Sequence, residues 1–323
     1  MTSLPPDYIV DRRNLRRKLS FWRVIALGAV LLGIVIAGLR ITGGTPGTRL
    51  IPHIARLSIE GVITGDKDTL KLIDDIGNSH ASAVLIEIES PGGTTTGAER
   101  LYDALRRLAK KKPLVSVIGT VGASGGYIAA LGADEIFAEG NSLVGSIGVL
   151  FQIPNVSKLL DKVGVQVESI KSSPLKAAPS GYEPTSEGAK QALNSLVVDS
   201  YDWFKALVKD RRQMSDAELA TVADGRVFTG RQGLNLRLVD KLGGEREAIE
   251  WLETDKGIRK GLPVQDWKKG RSLERLGIFG AAARVAELFG LQSLAQNLDR
   301  LDLAQSLRLL DGPLAIWQAD QLQ

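Results

Sequence analysis

The sequence predicts an α/β fold with a largely parallel sheet, preceded by a membrane anchor. Apolar runs rich in β-branched residues alternate with stretches of helical spacing, a pattern typical of repeated strand–helix–strand units. Glycine-rich turns directly follow two of the apolar runs. The chain has 323 residues, enough for one large domain or two ordinary ones with an ample core.

The uncharged stretch at residues 24–39 predicts a transmembrane helix. It lies between Arg23 and Arg40 and is at the short end of the length that spans a bilayer. A cleaved signal peptide is the alternative, but no A-x-A cleavage site follows, which favours an uncleaved anchor. Basic residues are concentrated in residues 1–23, so this segment is expected in the cytoplasm and the chain beyond residue 40 across the membrane.

A Gly/Thr/Pro linker at residues 40–50 leads into the alternating elements. The predicted strands are HIARLSIEG, AVLIEIES and LVSVI, and the predicted helices are DTLKLIDDIGN, GAERLYDALRRLAKKK and YIAALGA. A turn, PGG at 91–93, is expected after the second strand. The third strand leads into the turn GASGG at 122–126.

Composition excludes several kinds of chemistry. The chain has no cysteine and only two histidines, which removes thiol catalysis, disulfides and Cys/His zinc sites. The net charge of +4 is small, so no nucleic-acid partner is expected. Any catalysis must therefore use hydroxyls, carboxylates, lysines or backbone amides. No cofactor or metal site is predicted.

Ser124 is the candidate nucleophile. It lies between glycines at the start of a predicted helix, where free N–H groups can stabilise an oxyanion. A simple helix cap is the alternative. The turn also matches the G-x-S-x-G elbow of α/β-hydrolases, but no histidine follows Ser124, so that interpretation fails. His80 and His53 precede it, and neither is favoured as a base.

A lysine is the best remaining base for this serine. The reference pKa of a lysine is about 10.4, so a catalytic lysine must be desolvated. Lys176 lies among small, apolar and proline residues, and Lys171 is the obvious competitor. Both could equally be ordinary surface lysines on sequence grounds alone.

Several spaced motifs resemble the signal peptide peptidase A type of serine proteases, family S49, over about residues 50 to 255. The motifs are SPGG (90–93), GASGGY (122–127), ADEI (133–136), GSIGV (145–149), KSSPLK (171–176), GRVFTG (225–230) and LVDKLGG (238–244). The resemblance implies a Clp protease/crotonase-like fold. Carried over by motif, it makes Ser124 the nucleophile and Lys176 the general base. It implies that the Ser146 hydroxyl orients the lysine and that the amides of Gly93 and Gly125 form the oxyanion hole.

The resemblance also implies apolar peptide substrates such as remnant signal peptides, and a homo-oligomer. The catalytic domain is expected at residues 51–257, on the outer side of the cytoplasmic membrane. Residues 258–323 are expected to form a helical extension. It packs on the domain or a neighbouring subunit, or alternatively contacts the membrane or docks in the cleft as a self-inhibitory tail. An acyl-CoA enzyme or an inactive scaffold of the same fold is the other functional class, but the anchor and the serine–lysine pair favour a protease.

Overall fold

The computed structural model describes residues 51–268 and 314–316, together with Phe21–Arg23, Ile25 and Gly28. The chain divides into two compact units, residues 1–50 with 270–302 and residues 51–269 with 303–323. In the first unit the described residues are helical. The second unit holds the α/β fold.

The predicted anchor at residues 24–39 lies outside the described residues, apart from Ile25 and Gly28. The same is true of the linker at 40–50 and of most of the basic segment at 1–23. In the described parts of the chain, no helix combines the length and the apolar character needed to cross a membrane.

One sheet organises the second unit. Its described strands are β1 (His53–Ile63), β2 (Ala81–Thr94), β3 (Leu114–Ala123), β4 (Glu135–Ala138), β5 (Leu143–Gly145), β6 (Val227–Thr229), β7 (Lys241–Leu242), β8 (Val264–Asp266) and β9 (Leu314–Ile316). The main order is β6-β5-β3-β2-β1-β8, while β4 joins β3 to β7 and β9 pairs with β2. The pairs β5–β6 and β2–β9 are antiparallel, and the other pairs are parallel. The predicted α/β class and largely parallel sheet are therefore confirmed.

Helices connect the parallel strands. Those described in this unit are α1 (Lys67–Gly77), α2 (Thr95–Ala109), α3 (Gly125–Ala130), α4 (Ser157–Lys162), α5 (Glu187–Arg212), α6 (Asp216–Val222), α7 (Gly230–Asn235) and α8 (Glu245–Thr254). Side-chain caps fix where the first two begin, since Asp66 accepts from the Thr69 amide and Thr94 accepts from the Gly97 amide.

The central strands are apolar without alternation because both of their faces are covered. On one face, Ile86 and Ile88 of β2 belong to the larger core, with α1, α2 and α3. On the other face, Leu85 packs in a second core with Trp251 of α8. The sheet is thus held rigidly between helical layers, and its strand ends are well placed to fix side chains in space.

The PGG segment differs from its prediction. A turn was expected at 91–93, but β2 continues to Thr94. Pro91 is tolerated because the pairing with β1 shifts register there: Glu60 is opposite Glu89 and Val62 is opposite Gly92. Proline lacks an N–H and is confined in sheets to such irregular positions. The strand therefore keeps Gly92 and Gly93 in the sheet, opposite Val62 and Ile63 of β1.

The described parts of the predicted helical extension contain two short strands and no helix. Within 258–323, β8 pairs with β1 in parallel and β9 pairs with the end of β2. The sheet thus continues beyond the expected domain boundary at residue 257. Residues 269–313, where helices were predicted, lie outside the described residues.

Candidate active site

Three strand ends meet at the carboxyl edge of the sheet. Ser90 of β2 lies opposite Gly122 of β3, and Ala123 of β3 lies opposite Gly145 of β5. The residues that follow, Ser124 and Ser146, therefore leave the sheet side by side. In parallel α/β sheets this edge is where ligands usually bind.

Ser124 lies in a strained turn between β3 and α3. Its φ of 53° and ψ of −117° are unusual for a residue with a side chain. Its N–H donates to the Gly145 carbonyl at 2.8 Å, and its own carbonyl accepts from the Ile128 amide at 3.0 Å. The backbone is thus fixed on both sides.

The Ser124 hydroxyl does not cap the helix that it precedes. Although Ser124 is the N-cap residue of α3, its side chain makes no capping hydrogen bond. The residue is 1% exposed, so its side chain lies inside the protein rather than on a surface turn. The capping alternative therefore does not explain this serine, and its oxygen remains available for other chemistry.

Ser146 has a similar backbone. Its φ is 51°, and its N–H donates to the Arg226 carbonyl at 2.9 Å. It is 8% exposed and follows Gly145, whose φ of 90° turns the chain at the end of β5. The structure thus brings the two predicted serines together.

Gly93 and Gly125 are also in contact. A Cβ built on Gly125 would lie 3.1 Å from the Gly93 nitrogen, and one built on Gly93 would lie 1.9 Å from the Ile63 carbonyl oxygen. Gly125 is the first residue of α3, where backbone N–H groups have no partner inside the helix. Only residues without side chains fit where β2, α3 and the serine turn converge.

Side chains that the sequence analysis did not single out brace this arrangement. The buried Ser90 hydroxyl donates to the Gly61 carbonyl at 2.6 Å and accepts from the Gly92 amide at 3.1 Å. Glu89 accepts from the Thr120 amide at 2.7 Å, which fixes the bend of β3 before the serine turn. Ser90 lies inside the SPGG motif, so a signal was present, but its role depends on a contact with distant Gly61.

Lys176 is not paired with Ser124 in the described chain. Its amide donates to the Ser173 carbonyl at 3.1 Å, and its side chain is exposed. Its competitor, Lys171, forms an ion pair with Glu183, and its side chain is only 18% exposed. The hydrogen bond from Lys171 holds the pKa of the Glu183 carboxyl below its usual range.

Both histidines lie at the opposite edge of the sheet. His53 is the first residue of β1, fully buried, and its Nε2 accepts from the Trp267 indole N–H at 3.1 Å. His80 is exposed and directly precedes β2. Because Ser124 follows the carboxyl end of β3, neither histidine can reach its hydroxyl.

The fold and this turn define a class of protein: an α/β enzyme with a strained serine at the carboxyl end of a parallel strand, beside backbone amides that can stabilise an oxyanion. Comparison with known proteins narrows the class. The family described as peptidase family S49 matches residues 106–259, a range that contains Ser124, Ser146 and Lys176.

Relatives in three bacteria support this match. A candidate protease of Synechocystis sp. is 37% identical over 207 residues, which cover 64% of this chain and 75% of that protein. A candidate signal peptide peptidase of Enterococcus faecium is 31% identical over 229 residues, 66% of each chain. Protease 4 of Haemophilus influenzae is 28% identical over 225 residues, 66% of this chain but 36% of that protein.

The chain belongs to peptidase family S49, in its signal peptide peptidase A type, and is a serine protease. The family predicted from the spaced motifs is therefore confirmed, and peptides are its substrates.

Proposed function

We propose that the chain is a membrane-anchored endopeptidase that cleaves apolar peptides, with Ser124 as nucleophile and Lys176 as general base. The serine turn is the observation that carries the proposal. The Ser124 hydroxyl makes no capping bond although it precedes a helix, and Gly93 and Gly125 meet beside it. A strained backbone that presents a free hydroxyl next to amides is typical of a nucleophile rather than of a structural serine.

In the proposed reaction the neutral amine of Lys176 accepts the Ser124 proton as the serine oxygen attacks the scissile carbonyl carbon. The carbonyl oxygen becomes an oxyanion, which the N–H groups of Gly93 and Gly125 stabilise. The C–N bond then breaks, and the lysinium returns the proton to the leaving amine. Water hydrolyses the acyl-serine in the same way, and the Ser146 hydroxyl orients the lysine throughout.

Lys176 is proposed as the base in preference to Lys171 because, in the described chain, only Lys171 has a charged partner. The Lys171 ammonium is already paired with the Glu183 carboxylate, so its position is fixed by another group. Lys176 forms no hydrogen bond or ion pair through its side chain with any described residue. The Lys176 amine can therefore contact a group of another molecule, such as a second copy of the chain.

We propose a homo-oligomer in which Lys176 acts on Ser124 of a neighbouring copy. The segment that carries Lys176 is rich in exposed apolar side chains, among them Leu159, Val163, Ile170 and Leu175. Such a surface is typical of an interface. Burial between copies would also remove water from the Lys176 amine, as a lysine base requires.

The proposed arrangement along the chain follows the sequence: a cytoplasmic segment at 1–23, an anchor at 24–39, a linker at 40–50, the peptidase domain at 51–257 and an extension at 258–323. A single-pass anchor in the cytoplasmic membrane would hold the site on the outer side, close to remnant signal peptides. The reaction uses side chains and backbone amides alone, so it needs no cofactor.

Hydrolysis of an apolar fluorogenic peptide by the full-length chain tests the proposal. Wild type, Ser124→Ala, Lys176→Ala and Lys171→Ala are compared from about pH 6 to about pH 10, a range that approaches the reference pKa of a lysine. We expect kcat/KM of the wild type to rise with pH, because only a neutral amine accepts a proton. We expect at least a 100-fold loss for Ser124→Ala and Lys176→Ala.

Lys171→Ala is the matched control, because it removes a lysine five positions away in the same segment. It should keep most of the activity. An inactive Lys171→Ala beside an active Lys176→Ala would overturn the choice of base, and an active Ser124→Ala would overturn the choice of nucleophile.

A further inference from the structure

The short helix α3, which begins directly after Ser124, has a single polar side chain. Its six residues are GGYIAA, and all of them are buried. Gly126 lies against β2, where a Cβ built on it would be 2.5 Å from the Ser90 carbonyl oxygen. Contacts of this kind join backbone to backbone, without side chains that interlock. The position of the helix along β2 therefore depends on contacts made elsewhere.

Tyr127 makes one of these contacts. Its side chain is fully buried, and its hydroxyl donates to the Leu238 carbonyl oxygen at 2.7 Å, across 111 residues of sequence. Burial raises the pKa of the Tyr127 hydroxyl, so it stays protonated and remains a donor throughout the pH range of the hydrolysis assay. The hydrogen bond joins the last residue of the GASGGY motif to the first residue of the LVDKLGG motif.

The acceptor of this hydrogen bond is itself fixed in the fold. Leu238 is fully buried, and its amide donates to the Gly233 carbonyl at 2.7 Å. Two residues later, the Asp240 amide donates to the Ile136 carbonyl at 2.9 Å, and its carboxylate accepts from the Ile136 amide at 2.8 Å. The Leu238 carbonyl is therefore a firm anchor for the Tyr127 hydroxyl.

Two arginines fix the chain at the other end of α3. The Arg211 guanidinium donates to the Leu131 carbonyl at 2.9 Å and to the Ala133 carbonyl at 2.8 Å. The Arg106 guanidinium donates to the Gly132 carbonyl between them at 2.9 Å. Cations at this end also interact favourably with the helix dipole. Side chains from other parts of the chain thus hold α3 near both of its ends.

We infer that Tyr127 is a positioning residue for catalysis, whose hydrogen bond to Leu238 holds α3 so that the Ser124 hydroxyl and the Gly125 amide are correctly placed. This inference rests on the proposed function, which makes Ser124 the nucleophile and assigns Gly125 to the oxyanion hole. Tyr127 acts through the backbone, because the next residue, Ile128, donates its amide to the Ser124 carbonyl at 3.0 Å.

The variant Tyr127→Phe keeps the ring and removes only the hydroxyl. A displaced oxyanion donor weakens binding of the transition state more than binding of the substrate. We expect kcat of the full-length chain to fall roughly tenfold with KM within about twofold of wild type, a smaller loss than complete removal of an oxyanion donor causes. The dependence of kcat on pH should run parallel to that of wild type, because the proposed base is unchanged.

Tyr201→Phe is the matched control. The Tyr201 hydroxyl of α5 also donates to a distant backbone carbonyl, that of Ala223, so the variant loses the same kind of bond away from α3. It should keep kcat within about twofold of wild type. Rates are referred to the number of sites that a fluorophosphonate labels, so unfolded chains do not count. A wild-type kcat per site in Tyr127→Phe, or an equal decrease in Tyr201→Phe, would overturn the inference.

An inhibitor measurement separates positioning from a structural role. A peptide aldehyde adds reversibly to a serine oxygen and places its own oxygen in the oxyanion hole, so it resembles the transition state. Its Ki should rise in Tyr127→Phe by about the factor by which kcat falls. In the Ser124→Ala background, fluorescence polarisation of a labelled apolar peptide should report equal binding with and without Tyr127→Phe. An unchanged Ki would overturn the inference.

A second variant serves if Tyr127→Phe does not fold. Arg211→Lys keeps the charge, but an ammonium lacks the planar fork with which Arg211 binds two carbonyls. We expect a decrease in kcat of roughly threefold with KM unchanged, and a wild-type kcat would then overturn the inference.

Ser124→Ala distinguishes a failure of this inference from a failure of the proposed function. If Ser124→Ala still cleaves the peptide, the choice of nucleophile is wrong and the inference falls with it. If Ser124→Ala is inactive while Tyr127→Phe has a wild-type kcat, only the inference about Tyr127 is wrong.

Discussion

At the residue scale, Ser124 combines a buried position with a backbone that favours glycine. Its φ of 53° lies where side chains are strained, at a cost on the order of 1–3 kcal/mol. Glycine would relieve that strain but would offer no hydroxyl. The serine therefore lowers the stability of the fold, and its proposed role as nucleophile accounts for this cost, a trade-off expected at functional sites.

From this strain we predict a difference in stability between two variants of Ser124. The free energy of unfolding should be about 1 kcal/mol higher for Ser124→Gly than for Ser124→Ala, because both lack the hydroxyl and only alanine keeps the strained Cβ. Denaturation in urea, followed by circular dichroism, measures the difference.

Ser116, also buried and on β3, provides the control for this comparison. Its φ is not positive, so Ser116→Gly should be less stable than Ser116→Ala by about 0.5–1 kcal/mol. If alanine is the more stable choice at Ser124 as well, the turn is not strained.

The serine turn is marked by the local sequence, whereas the ion pair that distinguishes the two lysines is not. The GASGG turn after an apolar run marks Ser124 by local pattern alone. Lys171 and Lys176 have similar neighbours, and what separates them is Glu183, a partner further along the chain that only the folded loop brings to Lys171. Pairing between distant residues has no local signal.

At the element scale, an ion pair ties the long helix α5 to the sheet. Arg212, in the last turn of α5, makes two hydrogen bonds to Asp240, at 3.0 Å and 2.6 Å. Asp240 also accepts from the Ile136 amide of β4 at 2.8 Å. Because the Arg212 side chain is only 11% exposed, this pair is shielded from solvent.

We expect Arg212→Met to lower the free energy of unfolding by about 2–4 kcal/mol, because it leaves the Asp240 carboxylate without its partner in a partly buried place. Arg226→Met is the matched control. Its guanidinium is paired with Asp224, but its side chain is 65% exposed, so its loss should cost less than about 1 kcal/mol. Urea denaturation measures the free energy of unfolding of both variants. Equal decreases would contradict the distinction between a shielded and an exposed ion pair.

The short strands also show where sequence patterns fail. The long strands β1, β2 and β3 were predicted because each has an apolar run with clear boundaries. β8 and β9 have three residues each, too few to show a period, and they exist because partner strands offer them an edge. A strand whose stability comes from its partner cannot be predicted from its own residues.

At the scale of the whole molecule, the order of strands likewise follows from long-range contacts. The alternation of elements predicts a parallel sheet, but it does not predict that β5 and β4 pair with different ends of the same strand, β3. That branching lets Gly145 reach Ala123 and brings Ser146 beside Ser124. The proposed site thus depends on a feature that local patterns do not contain.

The proposed assembly leads to a prediction at this scale. Val163→Ser with Ile170→Ser should reduce both the molar mass in light scattering and kcat/KM, since the side chains are exposed in the described chain and would be buried between copies. Ile51→Ser is the control, because it removes another exposed apolar side chain outside that segment. If the double variant has a lower molar mass but full activity, the active site is not shared between copies.

Subunit complementation tests the shared site directly. Neither Ser124→Ala nor Lys176→Ala should be active alone, but a mixed assembly places an intact serine beside an intact lysine at some interfaces. We therefore expect activity to return when the two variants are co-assembled. If mixed assemblies of normal molar mass are inactive, Ser124 and Lys176 of one active site must come from the same copy.

Covalent labelling of Ser124 tests the central claim, a serine activated by Lys176, most directly. The full-length protein is treated with a fluorophosphonate, and the adduct is located by mass spectrometry while its rate of formation is followed against pH. We predict a single adduct on Ser124, formed faster as pH rises, and at least 100-fold slower in Lys176→Ala but not in Lys171→Ala. An adduct on another residue, or an undiminished rate in Lys176→Ala, would contradict it.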